Sequence, residues 1–103
     1  MNYKPYHIFF NNFANPLKIK IILSLKNKEK SVNELVRSLR VEQSKVSHAL
    51  ASLKKCSLVG VKPEGRKRIY FLNKKTTLSI LNIVEKHSNL FCQGKCKDYR
   101  SKK

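Results

Sequence analysis

Ser31-Val-Asn-Glu-Leu-Val-Arg-Ser-Leu-Arg-Val-Glu-Gln43-Ser-Lys-Val-Ser-His-Ala-Leu-Ala-Ser-Leu53 is the stretch that decides the fold. Ser31 and Glu34 have capping-box spacing, in which the Ser oxygen and the Glu carboxylate each take a free backbone N–H at a helix start. Leu35, Val36 and Leu39 then give a short helix one buried face. Arg40-Val41-Glu42 breaks that helix, and another is predicted from Gln43 to about Lys55. Its apolar members, Val46, Ala49, Leu50 and Leu53, recur at helical spacing, while Gln43, Ser44, Lys45, Ser47, His48 and Ser52 lie opposite. An amphipathic helix usually shows Glu and Lys to solvent. Short hydrogen-bonding side chains can instead approach the floor of a groove, where long acidic ones would be repelled.

Upstream, Asn15-Pro16 announces the first helix, an N-cap residue followed by proline at the first helical position. Leu17, Ile21 and Leu25, with Ile19, Ile22 and Leu23, give it a broad apolar face, and Asn27–Lys30 is a polar loop. Downstream, Leu58–Lys62 and Arg68–Leu72 are β-branched or aromatic runs flanking Pro63-Glu64-Gly65-Arg66, a turn signal. They predict a β-hairpin with a basic tip of Lys62, Arg66, Lys67 and Arg68. A last helix is predicted from about Thr76 to Ser88 on Leu78, Leu81, Ile83 and Val84. This order, helix, short helix, turn, polar-faced helix, basic hairpin, helix, is that of a winged helix-turn-helix: mainly α with a small β-hairpin. The domain is expected over residues 1–91, and residues 92–103 form a basic tail containing Cys92-x3-Cys96.

The charge balance names the class of partner. Twenty-three Lys and Arg against six Asp and Glu give +17 over 103 residues. The surplus is spread along the chain, with +5 over residues 1–30, +5 over 42–72 and +4 over 92–103. Self-repulsion of that size works against a compact state unless a polyanion or salt relieves it. Nucleic acid, an anionic membrane or an acidic protein would serve. The N-terminus has no basic segment leading into a long apolar run, so neither a signal peptide nor a membrane span is expected, and the cytoplasm is the expected compartment. Three Cys, an odd number, do not resemble a secreted disulfide framework. No nucleophile–base pattern or phosphate-cradling glycine loop is present, and acidic residues are too scattered for two-metal chemistry, so an enzyme is not expected.

The chain also resembles the ArsR/SmtB family of small bacterial and archaeal repressors. The likeness is carried by Asn15-Pro16-Leu17, Ser31-Val-Asn-Glu-Leu35, Gln43 to Leu53 as the recognition-helix string, and Leu58-Val59 into the Glu64-Gly65-Arg66 wing and Tyr70-Phe71-Leu72. It covers roughly residues 12 to 88. It implies a homodimer whose outer helices pair across a two-fold axis, and repression by occluding a promoter. The aromatic stretch Tyr6–Phe13, hard to bury in so small a chain, suits that use. Departures are visible. Arg40 and Glu42 stand where the family usually has Gly and then a Ser cap, and Ser57 stands where Gly often ends the recognition helix. Val32–Leu39 holds no Cys and the last helix holds only His87, so a familiar metal site does not carry over.

Gln43, Ser44, Lys45, Ser47 and His48 are the candidate DNA contacts on the helix, and Lys62, Arg66, Lys67 and Arg68 those on the wing. The competing readings are a solvated helix face and an exposed hairpin. His87, Cys92 and Cys96 are the one cluster with metal-ligand chemistry. A thiophilic metal or metalloid ion, a redox dithiol, and inert thiols or a structural bridge are the alternatives there. Cys56 is expected to be a small buried hydrophobe. The expected partner is double-stranded DNA. Two other functions stay open: an architectural protein coating DNA with little sequence preference, and a winged-helix protein-interaction module.

Overall fold

The structure is a computed structural model that describes residues 4–92, and the chain divides into two compact units between Asn73 and Lys74. That division falls inside the span expected to be one domain. In the first unit the elements run α1 (Lys4–Ala14), α2 (Pro16–Asn27), β1 (Lys30–Ser31), α3 (Val32–Leu39), α4 (Gln43–Lys55), β2 (Val59–Glu64) and β3 (Lys67–Leu72). The second holds α5 (Thr77–His87) and one π-helical turn, Ser88–Cys92.

Local chemistry explains the element ends. Asn15 caps α2 by accepting the Lys18 backbone N–H at 3.0 Å, with Pro16 at the first helical position. The capping box of α3 is complete: the Glu34 N–H donates to Ser31 Oγ at 3.2 Å, and the Ser31 N–H donates to Glu34 Oε1 at 2.8 Å. That backbone donor is the main reason the Glu34 carboxyl is held below the usual carboxylate range. Helix α4 ends in a Schellman motif, with Leu58 N–H on the Leu53 carbonyl at 3.0 Å and Ser57 N–H on Lys54 at 2.9 Å. The residue that must turn left-handed there is Ser57, at φ 60°. Arg40 does the same after α3, at φ 57°. These are two positions where the family favours glycine.

The core of the first unit joins three helices to the sheet. Ile21, Ile22 and Leu25 of α2, Leu35 of α3, Val46, Ala49, Leu50 and Leu53 of α4, and Leu58, Val59, Ile69 and Leu72 around the sheet are all buried. Each of these Val, Leu and Ile side chains contributes roughly 1.5–3 kcal/mol by leaving water. All four apolar positions expected of α4 are in that core. In α3 only Leu35 is, Val36 and Leu39 being half-buried, and Leu23 of α2 is exposed.

Three features depart from the sequence reading. The aromatic stretch before Asn15 is a helix, α1, in which Phe9 and Phe13 stand one turn apart with ring centroids 5.4 Å apart. The hairpin is part of a three-stranded antiparallel sheet of order β1-β3-β2, with Lys30 opposite Tyr70 and Ser31 opposite Ile69. Its turn is also tighter than expected. Glu64 pairs with Lys67, leaving Gly65 and Arg66 as a two-residue loop with Gly65 at φ 64°. Positive φ at the first loop residue alone is the type II′ pattern. Pro63 is tolerated within β2 because that strand is an edge of the sheet.

Candidate nucleic-acid interface

Burial of Val46, Ala49, Leu50 and Leu53 fixes which face of α4 is left to solvent. Gln43, Ser44, Lys45 and His48 are exposed and Ser47 is half-buried, bonded through its Oγ to Gln43 Nε2 at 3.3 Å. The five expected helix residues therefore share the first two turns of one helix. Glu42, at the N-cap, makes no side-chain cap bond, and its carbonyl accepts from the N–H groups of Lys45 and Val46 at 3.1 Å each. Ser44, Lys45 and His48 also line an open groove of about 510 Å³ whose other wall is the start of α2, with Asn15, Leu17 and Lys18. The α2 wall escaped the sequence reading, because only packing brings Lys18 beside α4.

On the wing, Arg66, Lys67 and Arg68 are exposed at and beside the loop. Lys62 is placed differently. Its ammonium lies 2.8 Å from Glu29 Oε1, and 5.9 Å from the centre of the Phe71 ring. The Glu29 hydrogen bond and charge raise its pKa and offset its positive charge locally. Phe71 in turn lies across Gly60, where a Cβ would sit 2.6 Å from the ring. The basic tip thus begins one residue pair further out than the sequence suggests.

The thiol cluster is only partly within view. His87 is exposed, with its ring 5.3 Å from that of Phe91, and Cys92 is half-buried. Cys96 lies outside the described residues. Among the described residues, no group of three or more His, Cys, Asp or Glu is placed to hold a metal ion. Cys56 is not the small buried hydrophobe expected: it is half-buried, and its Sγ accepts a hydrogen bond from Asn12 Nδ2 at 3.0 Å. Asn12 is polar and stands in an aromatic run, so it could be noticed, but its partner could not.

The family model for bacterial regulatory proteins of the arsR family matches residues 15–61, from the cap of α2 through α4 into β2. The chain has the winged helix-turn-helix fold and is similar to transcriptional regulators of the ArsR/SmtB type. An uncharacterized HTH-type transcriptional regulator of Mycobacterium tuberculosis, Rv0081, is 29% identical over 79 residues, covering 76% of this chain and 69% of its own. Its crystal structure matches with a TM-score of 0.81 at 25% identity, covering 91% of this chain and 95% of that one. The transcriptional repressor SmtB homolog of Synechocystis is also 29% identical over 79 residues, 77% of this chain and 60% of its own. The homodimeric winged helix-turn-helix DNA-binding domain of Mb0332 from Mycobacterium bovis shares the fold, with a TM-score of 0.76 at 16% identity over 96% of this chain and 88% of that one. No helix among the described residues of this ArsR/SmtB-like chain is long and apolar enough to cross a membrane.

Proposed function

We propose that this chain is a homodimeric repressor of transcription that reads double-stranded DNA with α4 and grips its backbone with the β2–β3 tip. The observation that carries the reading is the α4 face. Val46, Ala49, Leu50 and Leu53 are in the core, and what the first two turns of the helix leave exposed is Gln43, Ser44, Lys45 and His48, donors and acceptors with no carboxylate among them. Gln and Ser side chains suit base edges, and Lys45 suits a guanine edge or a phosphate. Arg66, Lys67 and Arg68 add positive charge on the wing, where sequence-independent phosphate contact is the natural use.

Dimerisation is supported by apolar side chains left in water in both units. Tyr6, Ile8 and Phe10 of α1 are exposed, Phe10 at 60%, and so are Ile83, Val84, Leu90 and Phe91 after Lys74, the last at 69%. Exposed apolar surface of this kind marks an interaction site. A two-fold dimer would present two copies of α4 to successive major grooves. The work is binding, without catalysis, in the cytoplasm where the genome is.

The test is duplex binding by Ser44→Ala and Lys45→Ala on a site preferred by the wild type. Each should cost roughly 1–3 kcal/mol and alter the sequence preference. Unchanged preference in both would remove α4 from the reading role.

A further inference from the structure

Ser44, His48, Ser52 and Cys56 stand four residues apart and form one row along α4. The upper half of the row faces the open groove: Ser44 and His48 line it, together with Lys18 of α2. The lower half is tied down. Asn12 of α1 is only 3% exposed, and its Oδ1 accepts from Lys18 Nζ at 3.0 Å and from Ser52 Oγ at 3.2 Å. Its Nδ2 donates to Cys56 Sγ at 3.0 Å and to the Ile8 carbonyl at 3.4 Å. Lys18 Nζ closes the ring by donating to Ser52 Oγ at 2.9 Å. One side chain therefore joins three helices.

Apolar packing alone would not need an amide here. A buried amide without partners costs about 1–3 kcal/mol, and a leucine-sized apolar group would fill the space without that risk. Directional bonds do what apolar contact does not: they fix the rotation of a helix about its own axis. Because Ser52 and Cys56 share a row with Ser44 and His48, holding the lower pair sets the direction in which the upper pair points. Helix α1 also carries the exposed Tyr6 and Phe10, so the anchor runs from an unpartnered apolar face to the row that looks into the groove.

We propose that Asn12 is a positioning residue that fixes the roll of the recognition helix on α1, and thereby the spacing of DNA half-sites that a dimer accepts. This rests on the reading of α4 as the DNA-reading helix and of α1 as part of the dimer interface. Asn12 itself touches no DNA.

The experiment uses the full chain and a duplex enriched by the wild type from a random-sequence pool. The spacer between its half-sites is changed by one and two base pairs, and a duplex with a single half-site is added. The wild type should lose on the order of tenfold in affinity when the spacer is wrong, a coupling of ordinary size. In Asn12→Leu that penalty should fall below about threefold, with single half-site affinity kept within about twofold and the dimer intact. Asn12→Asp keeps an oxygen that accepts from Lys18 and Ser52, and its second oxygen can accept from the Cys56 thiol, so it should retain the wild-type spacing preference. If Asn12→Leu does not fold, Ser52→Ala removes one partner from the ring and should flatten the preference in the same direction. An unchanged spacing penalty in Asn12→Leu or Ser52→Ala overturns the proposal, as does an equal loss on every duplex, which is what a merely structural residue would give. A wild type indifferent to spacing overturns the dimeric reading, and the proposal with it, before any variant is compared.

Discussion

At Ser57 the chain places a side chain where the backbone must turn left-handed to end α4. A non-glycine residue in that conformation costs roughly 1–2 kcal/mol, and glycine gives some of this back through unfolded-state entropy. Ser57 acts there through its backbone, donating to Lys54 and accepting from Asn73 Nδ2 at 2.9 Å each, and glycine keeps both bonds. Ser57→Gly should therefore raise stability by about 1 kcal/mol, read as a higher denaturant midpoint at unchanged slope. Glu34 gives a pH signature. Its carboxyl is depressed in the folded state by the Ser31 N–H, so its contribution is complete above the ordinary carboxylate pKa and is lost as pH falls through the lowered value. Glu34→Gln keeps an acceptor but does not titrate. The melting-temperature gap between it and the wild type should be open at neutral pH and close below about pH 4. A gap that widens on acidification would reverse the assignment. Both residues were legible in the sequence, the capping box by its spacing and Ser57 by its place at the end of a periodic helix. The ring around Asn12 was not, since its members lie on three separate helices.

Among the elements, α4 and the wing are proposed to divide the labour of binding, and salt separates them. Removing one phosphate-binding charge flattens the slope of log affinity on log salt by about one unit. Arg66→Ala or Arg68→Ala should do so while weakening every duplex alike. Lys62→Ala should change the slope much less, because Glu29 already offsets its charge, and Glu29→Ala should strengthen DNA binding by freeing it. Equal slopes for Lys62→Ala and Arg66→Ala would show that the ion pair opens on the duplex. At the start of α4, Glu42 leaves the cap unmade, so Glu42→Ser should stabilise the fold by about 1 kcal/mol in thermal or denaturant unfolding. Helix α4 could be read before the structure because its apolar residues recur at a helical period and its bounds are marked on both sides. Helix α1 could not: its aromatic run has a paired asparagine, Asn11-Asn12, that looks like a loop, and no clear capping signal marks its start. The two-residue strand β1 is too short to carry any period, and the Glu29–Lys62 pair joins a loop to a strand distant in sequence.

For the whole molecule, +17 ensures attraction to any duplex, so affinity alone says little about function. What distinguishes a regulator from a coating protein is the ratio of specific to non-specific binding, and what distinguishes a dimer from a monomer is the spacing of half-sites. The exposed Phe10 and Phe91 predict self-association. Light scattering at tens of micromolar, an order-of-magnitude choice for a weak interface, should return a dimer, and Phe10→Ser should shift it toward monomer. The most direct measurement is selection of bound sequences from a random duplex pool at physiological salt, followed by affinities for the enriched site and for random duplex. A two-fold site should emerge, its halves about one helical turn apart or a multiple of it, bound on the order of a thousandfold or more above random DNA. Equal affinity for every duplex, with no sequence enriched, would contradict the account.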